Sequence, residues 1–149
     1  MMTTSGGFSA VTPMPTMHDL AGVVRDLAAA ADRVAGIVQL QRSVQHLLRV
    51  SDALCVWIDW PRRTASSISG RVSEQLEELV IEVAGRGRRS LMGSALLEPV
   101  GPAPARAVLA LRRPTTLAFG RDELAMIGAL AIGIAPALDR LVRADPGRG

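Results

Sequence analysis

Apolar residues recur at helical spacing from the start of the ordered pattern. Leu20, Val23, Val24, Leu27, Ala30 and Ala31 form one periodic set, and Val34, Ile37, Val38, Leu40, Val44, Leu47 and Leu48 continue it to about Arg49. Thr16 or His18-Asp19 opens the stretch; Gly36 and the Ala31-Asp32-Arg33 step leave both one long helix and two shorter ones open. After a turn at Val50-Ser51-Asp52, the segment Ala53 to Trp60 is apolar on both faces, which predicts a central strand covered on both sides. Pro61 to Thr64 is a tight connection, and the polar Ala65 to Ser69 reads as a returning edge strand. Ser73 caps a helix to about Ala84 whose apolar stripe is Leu76, Leu79, Val80 and Val83. Gly85 and Gly87 end it, with Arg86, Arg88 and Arg89 suited to the negative helix end.

Ser90 to Leu97 predicts a further strand, stopped by Glu98-Pro99, and Val100 to Ala105 a proline-rich turn. A buried strand follows at Ala107 to Arg112, then a turn at Arg113-Pro114-Thr115-Thr116. Phe119-Gly120 precede a last helix, which carries Asp122 and Glu123 in its first turn and is apolar over most of its circumference until Asp139-Arg140. Strands in the middle and helices at both ends predict an α+β fold. Its sheet should be mainly antiparallel with about four or five strands, the terminal helices on one face and the 73–84 helix on the other. The expected organisation is a flexible segment at 1–16, one domain at 17–143 and a flexible tail at 144–149.

Composition narrows the chemistry. A chain of 149 residues, 48% apolar, suits one domain with a real core. With 3% aromatic residues and no Tyr, stacking platforms for bases are scarce. All 17 basic residues are Arg, a bias expected of a GC-rich genome, and the net charge is +3. Arg62-Arg63, Arg86 with Arg88-Arg89, and Arg112-Arg113 fall at separate turns and strand ends, so no continuous phosphate-binding stripe forms and no nucleic-acid partner is expected. The single Cys55 excludes an intrachain disulfide and any cysteine-pair metal or redox site. The N-terminus lacks the pattern of a signal peptide, and the longest apolar run, Leu124 to Leu138, is about 15 residues against the roughly 20 of a membrane span. These features predict a soluble cytoplasmic protein without a membrane partner.

Cys55, inside the predicted central strand, reads as a small core hydrophobe. His18 and His46 have no second ligand at helical spacing and read as solvent-facing, so neither haem nor a metal is expected. Trp57 and Trp60 differ in parity and face opposite sides of the sheet. Asp59 should pair with Arg62 or Arg63 at the hairpin turn, and Glu77-Glu78 should lie on a solvated helix face. No convergent acid, base and nucleophile set, nucleophile elbow or phosphate-binding glycine run is present, so an enzyme is not expected.

The last strand and helix, with "FGRDEL" opening the helix, resemble the C-terminal end of a GAF domain, a small sensory module of bacterial signalling proteins. The segment "SEQLEELVIEVAGRGRRS" before "LMGSALLEPVG" and the element order extend the resemblance to residues about 20–142. It implies a module that binds or relays, whose long N-terminal helix packs beside the C-terminal one. The chain departs from the family where Gly70 leads directly to the helix at Ser73, without the longer excursion that supplies much of the ligand lid. With no Lys or Asn, the Asn-Lys-Phe-Asp-Glu pattern of cyclic-nucleotide-binding members is absent, and one Cys cannot supply the relay of the methionine sulfoxide reductase members.

The expectation is a non-catalytic regulatory domain acting through dimerisation, with room for a small apolar ligand and no cofactor. Its output would pass to a downstream protein partner that the sequence does not identify. Candidate ligand-lining residues are Cys55, Trp57, Leu76, Leu79, Val83 and Ser94. The dimer would bury Leu20, Val24, Leu27, Leu124, Ile127, Ile134 and Leu138 in a four-helix bundle, with Gly128 and Gly133 permitting close approach. In the competing account the two helices cover each other within one chain. The alternative function is an interaction scaffold with a degenerate pocket and no ligand.

Overall fold

The computed structural model describes residues 15–114 and 118–143. Residues 1–14 of the expected flexible segment 1–16, the expected tail at 144–149, and Thr115-Thr116 of the expected turn lie outside the described residues.

The N-terminal periodic stretch is two helices, α1 (Met17–Ala29) and α2 (Arg33–Leu48). Thr16 and Asp19 form a reciprocal capping box at the start of α1, with N···O distances of 2.8 and 3.1 Å. Asp32 breaks the run because its carboxylate accepts the Ala35 N–H at 2.7 Å and caps α2. Gly36, expected as a weak point, sits inside α2, where a Cβ would meet that of Ala30 at 2.8 Å. The glycine is what lets the first turn of α2 close against the end of α1.

The strands are β1 (Asp52–Asp59), β2 (Thr64–Ser67), β3 (Gly70–Arg71), β4 (Ser90–Met92), β5 (Ala95–Val100) and β6 (Ala107–Arg112). They form one six-stranded sheet in the order β3-β2-β1-β6-β5-β4, with every pair antiparallel. The two strands apolar on both faces, β1 and β6, lie at its centre in the register Cys55↔Leu109. Helix α3 (Glu74–Arg86) covers one face; α1, α2 and α4 (Arg121–Arg143) lie on the other.

The strand count exceeds the expected four or five for two reasons. The stretch Ser90–Leu97 is not one strand but a hairpin turned at Gly93, whose φ of +62° suits glycine. Gly70–Arg71 adds a two-residue strand at the opposite edge. Glu98-Pro99 does not stop β5 either. Pairing with β4 ends at Leu97, so Pro99 sits where the outer edge of β5 has no neighbour and its missing N–H costs no bond there.

Side-chain parity sorts the core. Ala53, Cys55 and Trp57 of β1, Leu96 and Val100 of β5, and Leu109 and Leu111 of β6 pack beneath α1, α2 and α4. Val56, Ile58, Leu97 and Val108 pack beneath α3 with Val80, Val83 and Ala84. By length and composition α4 is long and apolar enough to cross a bilayer, although the apolar run within it is shorter. Its Ile127, Leu130, Ala131, Ile134, Ala137, Leu138 and Leu141 are buried within this chain. Pro136 lies within α4 and removes the N–H that would bond the Ile132 carbonyl, on an exposed face where water can take its place.

Candidate functional site

The six residues expected to line a ligand cavity are divided by the sheet. Cys55 is fully buried on the side of the terminal helices; its backbone N–H donates to Gln41 Oε1 of α2 at 2.8 Å. Burial alone pushes its thiol up to about 12, which makes it inert at neutral pH. Trp57 lies on the same face, with the Arg33 guanidinium 5.1 Å from its ring centre. Leu76 and Val83 pack on the opposite face under α3, while Leu79 points outward. Ser94 lies in the β4–β5 turn, where its carbonyl accepts the Arg113 N–H at 2.9 Å. No single cavity unites them. The reason is strand parity: α3 covers the even positions Val56 and Ile58, not the odd positions of Cys55 and Trp57.

The space between the sheet and α3 is filled by aliphatic side chains. Val56, Val80, Ala84 and Val108 are all at 0% exposure. Trp60 closes the flank, donating its Nε1–H to the Ala105 carbonyl at 2.8 Å, with Arg63 5.8 Å from its ring centre. The direct step from Gly70 to α3 draws the helix onto the strands without an intervening lid. Glu77, expected on a solvated face, fixes that step. Its Oε2 accepts the Ala65 N–H of β2 at 2.8 Å, and both its oxygens accept from Arg71 of β3 at 2.8 and 3.0 Å. These contacts, the Ala65 bond first, hold its carboxyl below the usual Glu range. Asp59 pairs with Arg62 at 2.7 Å, as expected.

The residues expected at a dimer interface mostly belong to the core of a single chain. Leu20, Leu27, Ile127, Ile134 and Leu138 are buried, and Val24 and Leu124 half-buried, without a second copy. A Cβ at Gly133 would meet Val24 Cγ2 at 2.8 Å, so this glycine permits contact between α4 and α1 of the same chain. Gly128 makes room for Arg89, whose Nη2 donates to the Leu124 carbonyl at 2.8 Å and would lie 3.1 Å from a Cβ there. Arg89 also contacts Glu98 at 2.8 Å, with an N–H poorly aligned on the oxygen; burial raises the Glu98 pKa against that pairing.

What the terminal helices leave uncovered is a stripe that shares only Val24 with that set. Met17 is 66% exposed and Ile132 76% exposed. An apolar groove of about 350 Å³ runs between α1 and α4, lined by Met17, Ala21, Val24, Ala129 and Gly133 among others. Exposed large apolar side chains were not separable in the sequence from the core stripe beside them, because α4 is apolar almost all round. His18 and His46 share a shallower groove between α1 and α2. Among the described residues no group of three or more His, Cys, Asp or Glu side chains is placed to hold a metal ion.

The "FGRDEL" segment has a structural role. Arg113, at the end of β6, donates to both carboxylate oxygens of Glu123 in α4, to the Ala118 carbonyl at 3.1 Å and to the Leu48 carbonyl at the end of α2 at 2.7 Å. Phe119 lies against the guanidinium, 4.5 Å from ring centre to Cζ, and the Gly120 N–H donates to Glu123 at 2.9 Å. The Arg113 hydrogen bonds, first among several causes, lower the Glu123 pKa. One side chain thus joins a strand end, a helix C-terminus and a helix N-terminus.

No protein-family model matches the chain, and no curated protein matches it in sequence. Solved structures match it in fold. The GAF domain from an Acinetobacter phosphoenolpyruvate-protein phosphotransferase superposes with a TM-score of 0.72 at 15% identity, over 88% of this chain and 98% of that one. The GAF domain of the Coxiella burnetii phosphoenolpyruvate-protein phosphotransferase gives 0.70 at 12% identity, over 88% and 96%. The native GAF domain of the Escherichia coli potassium sensor histidine kinase KdpD gives 0.66 at 9% identity, over 90% and 100%. The fold is an α+β, GAF-like one.

Proposed function

We propose that this chain is a soluble, cytoplasmic, non-catalytic regulatory module that acts by pairing with a second copy and relaying to another protein, without a ligand between its sheet and α3. The observation that carries the reading is the open apolar groove of Met17, Ala21, Val24, Ala129 and Gly133 between α1 and α4, with Ile132 exposed one turn away on the outer side of α4. A second copy related by a two-fold axis would cover it with the same stripe, and isologous pairing needs only such a self-complementary patch. The neighbours in fold include a GAF domain of a sensor histidine kinase, which supports a place in signalling. The filled space under α3 favours the ligand-free form of this reading over one with an apolar effector there.

A cysteine placed at the most exposed large apolar position of α4 tests the pairing. Cys55 is buried with its thiol pushed up to about 12, so Ile132→Cys supplies the reactive thiol. Mild oxidation should yield a species of twice the chain mass, at a rate independent of dilution in the micromolar range. A cross-linking rate that falls in proportion to concentration would report random collision and overturn the reading.

A further inference from the structure

We propose that the groove between the C-terminal half of α4 and the Gly101–Arg106 turn binds a small organic carboxylate with an apolar body. The groove has a volume of about 350 Å³, within the range of small-molecule sites. Its floor is apolar: Val100, Ala107, Ala135, Leu138 and Val142 line it. At its rim the Asp139 carboxylate stands between two guanidinium groups. Arg106 Nε lies 3.4 Å from Oδ1, and Arg143 Nε 2.9 Å from Oδ2. Both arginine side chains line the groove and are more than half exposed, so each keeps donors free of the aspartate at the rim.

Two positive charges against one negative leave the rim with a net charge of +1, set over an apolar floor. A monoanion with a hydrophobic tail complements both features. The planar forks of two arginines match the two oxygens of a carboxylate. Asp139 is then a positioning residue: it holds the two guanidinium groups at the rim without needing to touch the ligand. Its Oδ1 is buried, accepts no hydrogen bond among the described residues and has Arg106 Nε at 3.4 Å. A cationic ligand is disfavoured by both arginines. This site is separate from the proposed dimer stripe: the two grooves share no lining residue, so either proposal can fail alone.

The test is titration of the full-length chain with sodium octanoate by calorimetry and by amide chemical shifts, with 1-octanol as the uncharged control. The expected result is a dissociation constant of about 1 mM or tighter for octanoate, with shifts at Gly101, Ala135 and Val142. Arg143→Gln and Arg106→Gln, both at exposed positions, should each weaken octanoate about tenfold and leave octanol unchanged. Ala135→Leu should abolish binding by filling the floor, with the arginine variants carrying the test if that protein does not fold. The proposal is overturned if octanoate gives neither heat nor shifts at 10 mM or if octanol binds equally well. It is also overturned if the arginine variants bind as tightly as the parent, or if the shifts map to Met17 and Val24 instead.

Discussion

The Arg113–Glu123 pair ties the end of β6 to the C-terminus of α2 and the N-terminus of α4. Arg113 is buried, and its partner shields it only in part, so losing the carboxylate charge leaves a cation with two carbonyls and a ring for company. Glu123→Gln should cost about 3 kcal/mol in a urea titration. A loss near zero would mean that the carbonyls of Leu48 and Ala118 suffice. The carboxylates also predict the shape of the stability profile with pH. Glu77 and Glu123 have lowered pKa values, so their contribution is full above the ordinary Glu value of 4.5 and is lost as pH falls through their folded values. Glu98 runs the other way. Its burial-raised pKa makes its contribution full below 4.5 and lost as pH rises through the folded value. From these groups stability should increase slightly as pH is lowered toward 4.5, then fall. Glu98→Gln should remove the increase and keep the fall; a profile unchanged by that substitution would show the raised value to be of no consequence.

At the scale of elements, burial and close approach decide what the pattern of residues foretold. The central strands β1 and β6 were legible because runs such as Ala53–Trp60 are apolar at consecutive positions, which only a strand covered on both faces tolerates. Leu109→Ala, at 1% exposure in β6, should destabilise by roughly 2–5 kcal/mol in the same titration. Other features were less legible. The break between α1 and α2 depends on the Asp32 cap, one of several turn formers in that stretch. The β4–β5 hairpin turns at Gly93-Ser94, a two-residue turn signal that the flanking apolar residues on both sides mask as one strand. The expected lining residues fall on two faces because parity along β1 separates those faces without saying which one meets α3. Gly133 makes the helix contact testable. Gly133→Ala gains helix propensity but drives a methyl into Val24, and should destabilise by about 1–3 kcal/mol. Adding Val24→Ala should recover most of that loss; failure to recover would place the strain elsewhere.

Across the whole molecule, apolar surface decides what is sealed and what stays open. The sheet uses both faces, α3 seals one of them, and the terminal helices cover the other while still exposing a stripe of their own. The sequence signals an excess of apolar residues on these helices; Leu20, Leu27, Ile127, Ile134 and Leu138 fill the core, while Val24 stays at the exposed groove. The exposed remainder, the groove at Met17 and Val24 with Ile132 beside it, is what a second copy would cover. Sedimentation equilibrium of the unmodified chain, set beside Ile132→Glu, tests this most directly. Glutamate is a good helix former at an exposed position, so circular dichroism should show the variant folded. The account predicts a species of twice the 15.7 kDa chain mass for the parent at micromolar concentration and a monomer for the variant. A monomeric parent at 100 µM, or a variant that remains as dimeric as the parent, would contradict it.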